Sequence, residues 1–340
     1  MMPTSARRAL PSTLLASLLP CGTAAADAPR VAVDIAPVHS LVARVMEGVG
    51  EPELVVSPGG TPHEYTLRPS EARALRGADA VFWVGPELTP WLENALGTLS
   101  GDARIVALSG IDGTLRLEVR EGALFETHEH GEDHGSEAGH DEEHARADEH
   151  DGGHDDGHDG GHDEEHGPGH AGDPHAWLSP DNASVWLGAV ADTLAVVDPE
   201  RADVYRANAA TAREELDTLS VEIERILDPV RGRGFIVFHD AYQYFERAFD
   251  IPASGAISVS DATDPSPARL SAIRGRVTDE AANCVLSEPQ FDPDLVAVVV
   301  EGTDVRTGVL DPLGSSLEPG PELYPRLLHG LATTLAECLA

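Results

Sequence analysis

PERADVYRANAATAREELDTLSVEIERIL, residues 199–227, decides how the chain is put together. Apolar residues recur through it at helical spacing, and no glycine or proline interrupts it after Pro199. A helix of about thirty residues rising 1.5 Å per residue is roughly 40 Å long. That exceeds an ordinary crossover helix and suits a rigid strut between two lobes.

Both sides of the strut alternate strands with helices. Upstream, residues 30–34 (RVAVD) predict a strand, 38–48 a helix, and 53–56 a short strand ending in the turn Ser57-Pro58-Gly59-Gly60. A helix at 70–76, an apolar strand at 80–84, a helix at 87–99 and a strand at 104–108 follow. Ser179-Pro180-Asp181 starts a helix running to residue 195, with proline at an early helical position. Downstream, strands are expected at 234–238, 256–259, 284–287 and 307–310, with helices at 242–249, 267–276, 293–301 and 321–339. This alternation predicts parallel β-α-β units and an α/β class. The expected organisation is a first α/β lobe at 27–198, a linking helix at 199–229 and a second α/β lobe at 230–340.

One segment breaks the pattern. Residues 126–172 are glycine, histidine, aspartate and glutamate with almost no apolar side chain, so they cannot bury enough surface to offset chain entropy and read as a disordered insertion. Its histidines are His128, His130, His134, His140, His144, His150, His154, His158, His162, His166 and His170. From His150 they recur every fourth residue, but the interleaved glycines argue against a helix. The functional reading is a weak, multivalent metal reservoir; the alternative is a solvated linker.

The chain has 340 residues, 41% of them hydrophobic, and a formal net charge of −36. That charge excludes nucleic acid and anionic membrane as partners. Residues 121–170 hold eighteen Asp/Glu against Arg146, so nearly half the excess lies there. Arg7 and Arg8, the short apolar run 9–19 and Ala24-Ala25-Ala26 read as an export signal at 1–26. Pro20 makes Cys21 a poor lipid-anchor site, so Cys21 is expected to leave with the signal. Two cysteines then remain, Cys284 and Cys338. An even count in an oxidising compartment suggests one disulfide, two separate thiols being the other reading. No later run is long and apolar enough for a transmembrane helix.

Four residues carry candidate chemistry. His63 lies in TPHEYTLRPS, His175 in DPHAWLSP, His239 in FIVFHDAY and Asp311 in GVLDPLG. At least three fall where a predicted strand ends, and ligands of open α/β sheets bind outside the carboxyl ends of strands. Three imidazoles and a carboxylate complete a tetrahedral Zn²⁺ site. His239, as the third imidazole, argues for zinc over manganese, which prefers oxygen donors. His39 reads as a helix cap or cleft-wall residue and His329 as a surface residue. Trp177 and Tyr65 are candidates for the cleft wall, and Glu288 either supports a ligand or partners Arg68.

The combination resembles the zinc-specific members of the metal-binding solute-binding proteins that serve ATP-driven importers. The matching pieces are HEYTLRPSEARALRGADAVFWVGPE, DPHAWLSPDNA, FHDAYQYF, NCVLSEPQF and LDPLG, covering nearly all the chain after the signal. The resemblance implies that His63, His175 and His239 bind metal and that a long helix joins two α/β lobes. It also implies that Cys284 pairs with Cys338. Some zinc members carry a Glu just before the first histidine; Pro62 stands there in this chain. Asp311 matches an acidic ligand used by others, with water or an insertion histidine as competitors. The expected function is periplasmic Zn²⁺ capture by a monomer and delivery to a membrane permease. Manganese binding in the same importer class is the nearest alternative, and a zinc hydrolase using Glu64 as base is the enzymatic one.

Overall fold

The computed structural model describes residues 27–120, 122–125, 172–258, 265–279 and 282–340. The expected signal at 1–26 and the eleven insertion histidines lie outside them.

Two parallel four-stranded sheets form the frame. The first has the order β2-β1-β3-β4, from β1 (Val31–Val33), β2 (Glu53–Leu54), β3 (Ala80–Trp83) and β4 (Arg104–Ala107). The second has the order β6-β5-β7-β8, from β5 (Phe235–His239), β6 (Gly255–Ser258), β7 (Cys284–Ser287) and β8 (Arg306–Val309). β1, β3, β5 and β6 are wholly buried and apolar apart from the end residues His239 and Ser258, as strands covered by helices on both faces must be.

The helices begin where the sequence supplies caps and prolines. α1 (Ala36–Val45), α2 (Pro69–Gly77), α3 (Pro90–Leu99), α4 (Pro180–Val197), α7 (Pro267–Thr278) and α8 (Pro293–Val300) carry proline in the first turn. Ser179 caps α4, its hydroxyl accepting from the Asn182 amide at 3.2 Å. Asp292 does the same for α8 through the Asp294 amide. α6 spans Gln243–Phe249 and α9 spans Leu323–Leu339. α9 starts later than residue 321 because Ser40 of α1 takes up the chain there. Its hydroxyl donates to the Pro321 carbonyl and accepts from the Tyr324 amide.

α5 (Ala202–Leu227) is the expected strut, entered through a short 3-10 turn at Pro199–Arg201. Its 26 residues span roughly 39 Å. It packs against α1, α4 and α9, and one continuous apolar core runs through all four. Cys284 of β7 and Cys338 of α9 are joined by a disulfide, which ties the last helix to the middle of the second sheet.

A second connection was not anticipated. Residues 115–125 leave the first lobe and cross to the second. There Leu124 bridges Gly255 in antiparallel sense, the Phe125 amide donates to the Ser254 carbonyl, and the Ala256 amide donates to the Ala123 carbonyl. The strap therefore covers the edge strand β6. Arg120 bolts it down. Its guanidinium contacts Asp240 and donates to Glu246 at 2.7 and 2.9 Å, with the Phe125 ring 3.7 Å away. Burial works against the Arg120 charge, but Glu246 and Asp240 outweigh it and hold the guanidinium protonated. The chain returns at Gly172, which bridges Glu118, three residues before His175.

Candidate metal centre

Each sheet changes direction once, between β1 and β3 in the first and between β5 and β7 in the second. Such switch points open a crevice at the strands' carboxyl ends. In the first sheet the crevice is sealed. Asp34 follows β1, is fully buried, and accepts from the Ile35 and Val84 amides at 2.8 Å each. Burial pushes its carboxyl up to about 7, with the Val84 and Ile35 amides pulling the other way.

In the second sheet the crevice holds the chemistry. His239 is the last residue of β5, and Glu288 follows β7 directly. The His239 Nδ1 lies 2.7 Å from Glu288 Oε1, across the switch point. A carboxylate there takes the Nδ1 proton and leaves Nε2 with its lone pair facing the cleft.

His175 is arranged the same way from the other side. It follows the strap's return, just before a 3-10 turn at Ala176–Leu178 that leads into α4. Asp173 Oδ1 accepts from the His175 amide at 3.0 Å and lies 2.8 Å from its Nδ1. Burial pushes Asp173 up to about 7, opposed by the His175 amide and the charge of Arg120. The Tyr244 hydroxyl fixes the Asp173 carbonyl at 3.0 Å. The result is a facing pair, with His175 Nε2 and His239 Nε2 3.3 Å apart.

His63 approaches from the loop after β2. Trp91 Nε1 donates to the Pro62 carbonyl at 2.7 Å, and the Tyr65 hydroxyl donates to Glu71 at 2.7 Å, so the loop is held on both sides of the histidine. The His63 ring centroid is 5.9 Å from that of His175. His63, His175 and His239 line one cavity of about 20 Å³ with Pro62, Trp177, Glu288, Gln290, Phe291, Pro312 and Leu313. That volume accommodates one water-sized guest and no organic ligand. Among the described residues, no three His, Cys, Asp or Glu side chains already form a finished metal cage.

Asp311 lies two residues beyond β8 and is occupied with its own loop. It accepts from the Leu313 amide at 3.1 Å, the Ser315 hydroxyl at 2.7 Å and Gln290 Nε2 at 3.4 Å. It lines a neighbouring cavity of about 180 Å³ under α9. The intervening Pro312 and Leu313 belong to the histidine cavity, so the carboxylate sits one layer behind it.

Of the remaining candidates, Trp177 and Glu288 line the cavity, and His39, His329 and Tyr65 do not. Trp177 donates from Nε1 to the Pro312 carbonyl at 2.8 Å, closing one lobe onto the other beside the histidines. His39 is buried in α1, with Nε2 2.9 Å from the Pro52 carbonyl. His329 is partly exposed, 3.7 Å from Glu222. Glu288 pairs with His239, and Arg68 turns instead to Ser57. Sequence reading left the roles of Asp173 and Glu288 undecided or unnoticed. The available signal was their placement, one two residues before a candidate ligand and the other at a strand end.

Known proteins resemble this chain along nearly its whole length. The family model described as "Zinc-uptake complex component A periplasmic" matches residues 31–338. A "High-affinity zinc uptake system protein ZnuA" of Paracoccus denitrificans is 49% identical over 333 residues, covering 96% of this chain and 98% of that protein. Its namesake from Brucella suis is 48% identical over 321 residues, covering 94% and 95%. Among solved structures, "Crystal structure of ZnuA" superposes with a TM-score of 0.70 at 23% identity, covering 92% of this chain and 100% of that one. The chain belongs to the periplasmic zinc-uptake component A family.

Proposed function

We propose that this protein captures one Zn²⁺ ion between its lobes through His63, His175 and His239 and delivers it to an ABC-type permease. The observation that carries the reading is the facing pair of Nε2 atoms at 3.3 Å, each imidazole backed by a buried carboxylate. A tetrahedral zinc with Zn–N bonds of about 2.0–2.1 Å has ligand atoms about 3.3–3.4 Å apart. Three neutral imidazoles favour zinc over manganese. The full-length relatives named for zinc uptake support the same cargo.

Asp311 supplies the fourth donor once its carboxylate turns from Ser315 toward the cavity. The role is capture and not catalysis: Glu64, the paper candidate for a base, is exposed and does not line the cavity. The insertion histidines act as an auxiliary reservoir. The protein works as a periplasmic monomer after removal of residues 1–26, with lobes at 27–198 and 230–340 and the linking helix at 199–229. Among the described residues no helix is long and apolar enough to cross a membrane, which suits a mature chain that is not inserted.

Zinc titration of the purified protein, with and without residues 126–171, tests the reading. One tight site is expected in both forms. Loss of that site with the insertion removed would place the cargo elsewhere. A zinc-loaded crystal with anomalous signal at the zinc edge would identify metal and ligands together.

A further inference from the structure

Gln290 lines the histidine cavity with a side chain that is half committed. Its Nε2 donates to Asp311 Oδ1 at 3.4 Å. The carboxylate fixes the orientation of the amide, because an oxygen cannot face an oxygen there. The other end, Oε1, is buried and has no hydrogen-bond partner among the described residues. A buried acceptor left unmatched destabilises the fold, so its retention calls for a partner that arrives later.

The cavity indicates what that partner is. Its walls are Thr61, the three histidines, apolar side chains, and the carboxylate of Glu288, whose Oε1 pairs with His239 and whose Oε2, itself a buried acceptor without a partner among the described residues, has no hydrogen to give. Imidazoles that present lone pairs to a cation offer Oε1 nothing. A water bound to a dication is a strong O–H donor, because the metal's charge polarises it. An amide oxygen accepts from such a water without adding a further negative charge beside Glu288 and Asp311.

We propose that Gln290 is a specificity-determining residue of the cavity: it steadies Asp311 through Nε2 and accepts, through Oε1, a hydrogen bond from water carried in on the cation. The inference rests on the placement of zinc among the three histidines. It makes Gln290 a filter for partly hydrated divalent cations during loading, and for the position of Asp311 afterwards.

Gln290→Met tests it, since methionine matches glutamine in length but removes both polar atoms. Zinc affinity is expected to fall about 10-fold or more, the range typical for groups that support a metal ligand. The melting temperature of the metal-stripped protein is expected to stay level or rise, because the unmatched acceptor is gone. The visible absorption of the Co²⁺-loaded protein is expected to change shape. Unchanged affinity with an unchanged Co²⁺ spectrum overturns the proposal. A parallel fall of affinity and metal-free melting temperature also overturns it, since Gln290 would then be packing alone. If Gln290→Met does not fold, Gln290→Asn withdraws the oxygen by one methylene and is read by the same criteria. His239→Ala, measured alongside, separates the two readings. Retained tight binding there would overturn the histidine site itself, whatever Gln290 does.

Discussion

The Nε2 atoms of His175 and His239 stand 3.3 Å apart although the two residues lie on either side of the linking helix in the chain. The spacing is that of two corners of a zinc tetrahedron. The buried carboxylates hold the two Nδ1 positions, so the Nε2 lone pairs are what cation and proton contend for. Zinc and protons therefore compete. Affinity should be highest above neutral pH and fall as pH drops through the ordinary histidine range near 6.5, as calorimetric titration at several pH values would record.

Removing a ligand and removing a bystander should differ sharply. His239→Ala should lower zinc affinity by more than about 100-fold, beyond the effect of losing a supporting group. His39→Ala should leave affinity level, because His39 spends its Nε2 on the Pro52 carbonyl and does not line the cavity. Equal effects in a competition titration would show the ligand set to be wrong.

The carboxylates behind the histidines should matter without touching metal. Asp173→Asn and Glu288→Gln keep the shape but weaken the hold on each Nδ1 proton. Each should reduce zinc affinity by about 10–100-fold. Affinity equal to wild type in both variants would mean that the imidazoles orient themselves.

Arg120 should matter for stability. Asp240 and Glu246 have side chains only 2% and 5% exposed, so Arg120→Met leaves two buried charges without their partner. The expected loss is about 3–5 kcal/mol, read as a lower urea midpoint. Adding Asp240→Asn and Glu246→Gln should recover part of it; no recovery would assign the loss to packing.

Metal-free stability should depend on pH in a definite direction. Asp34 and Asp173 are each pushed up to about 7 by burial, from an ordinary 3.8. The folded protein thus keeps protons that the unfolded chain releases. The stability they supply is complete below about pH 4 and is lost as pH rises through 7. Urea midpoints of the metal-free protein should fall between pH 5 and 8, and Asp34→Asn should flatten the fall.

Much of this molecule was legible from residues alone. The strand at 284–287 appears at those bounds as β7, and the strut at 199–227 appears as a 3-10 turn plus α5, because apolar runs and proline starts are local signals. His63, His175 and His239 could be singled out because histidines at element ends are conspicuous. What escaped was non-local. Nothing near Arg120 in sequence announces Asp240 and Glu246, which lie more than a hundred residues away. The side-chain turn of Asp311 into its own loop depends on Ser315 and Leu313, and no periodicity reports it. Strand order, and with it the pairing of His239 with Glu288, is fixed by packing of whole helices and is invisible in any one segment.

The strap along β6 bears on how separable the two halves are. A fragment beginning after the linking helix would contain every named strand of its own sheet, yet it would lack Ala123–Phe125 and so expose the unpaired margin of Gly255–Ser258. Such a margin recruits other chains. The second half is therefore not a self-sufficient module: expressed by itself it should self-associate, and any recombination or grafting of lobes would have to carry the strap along with it.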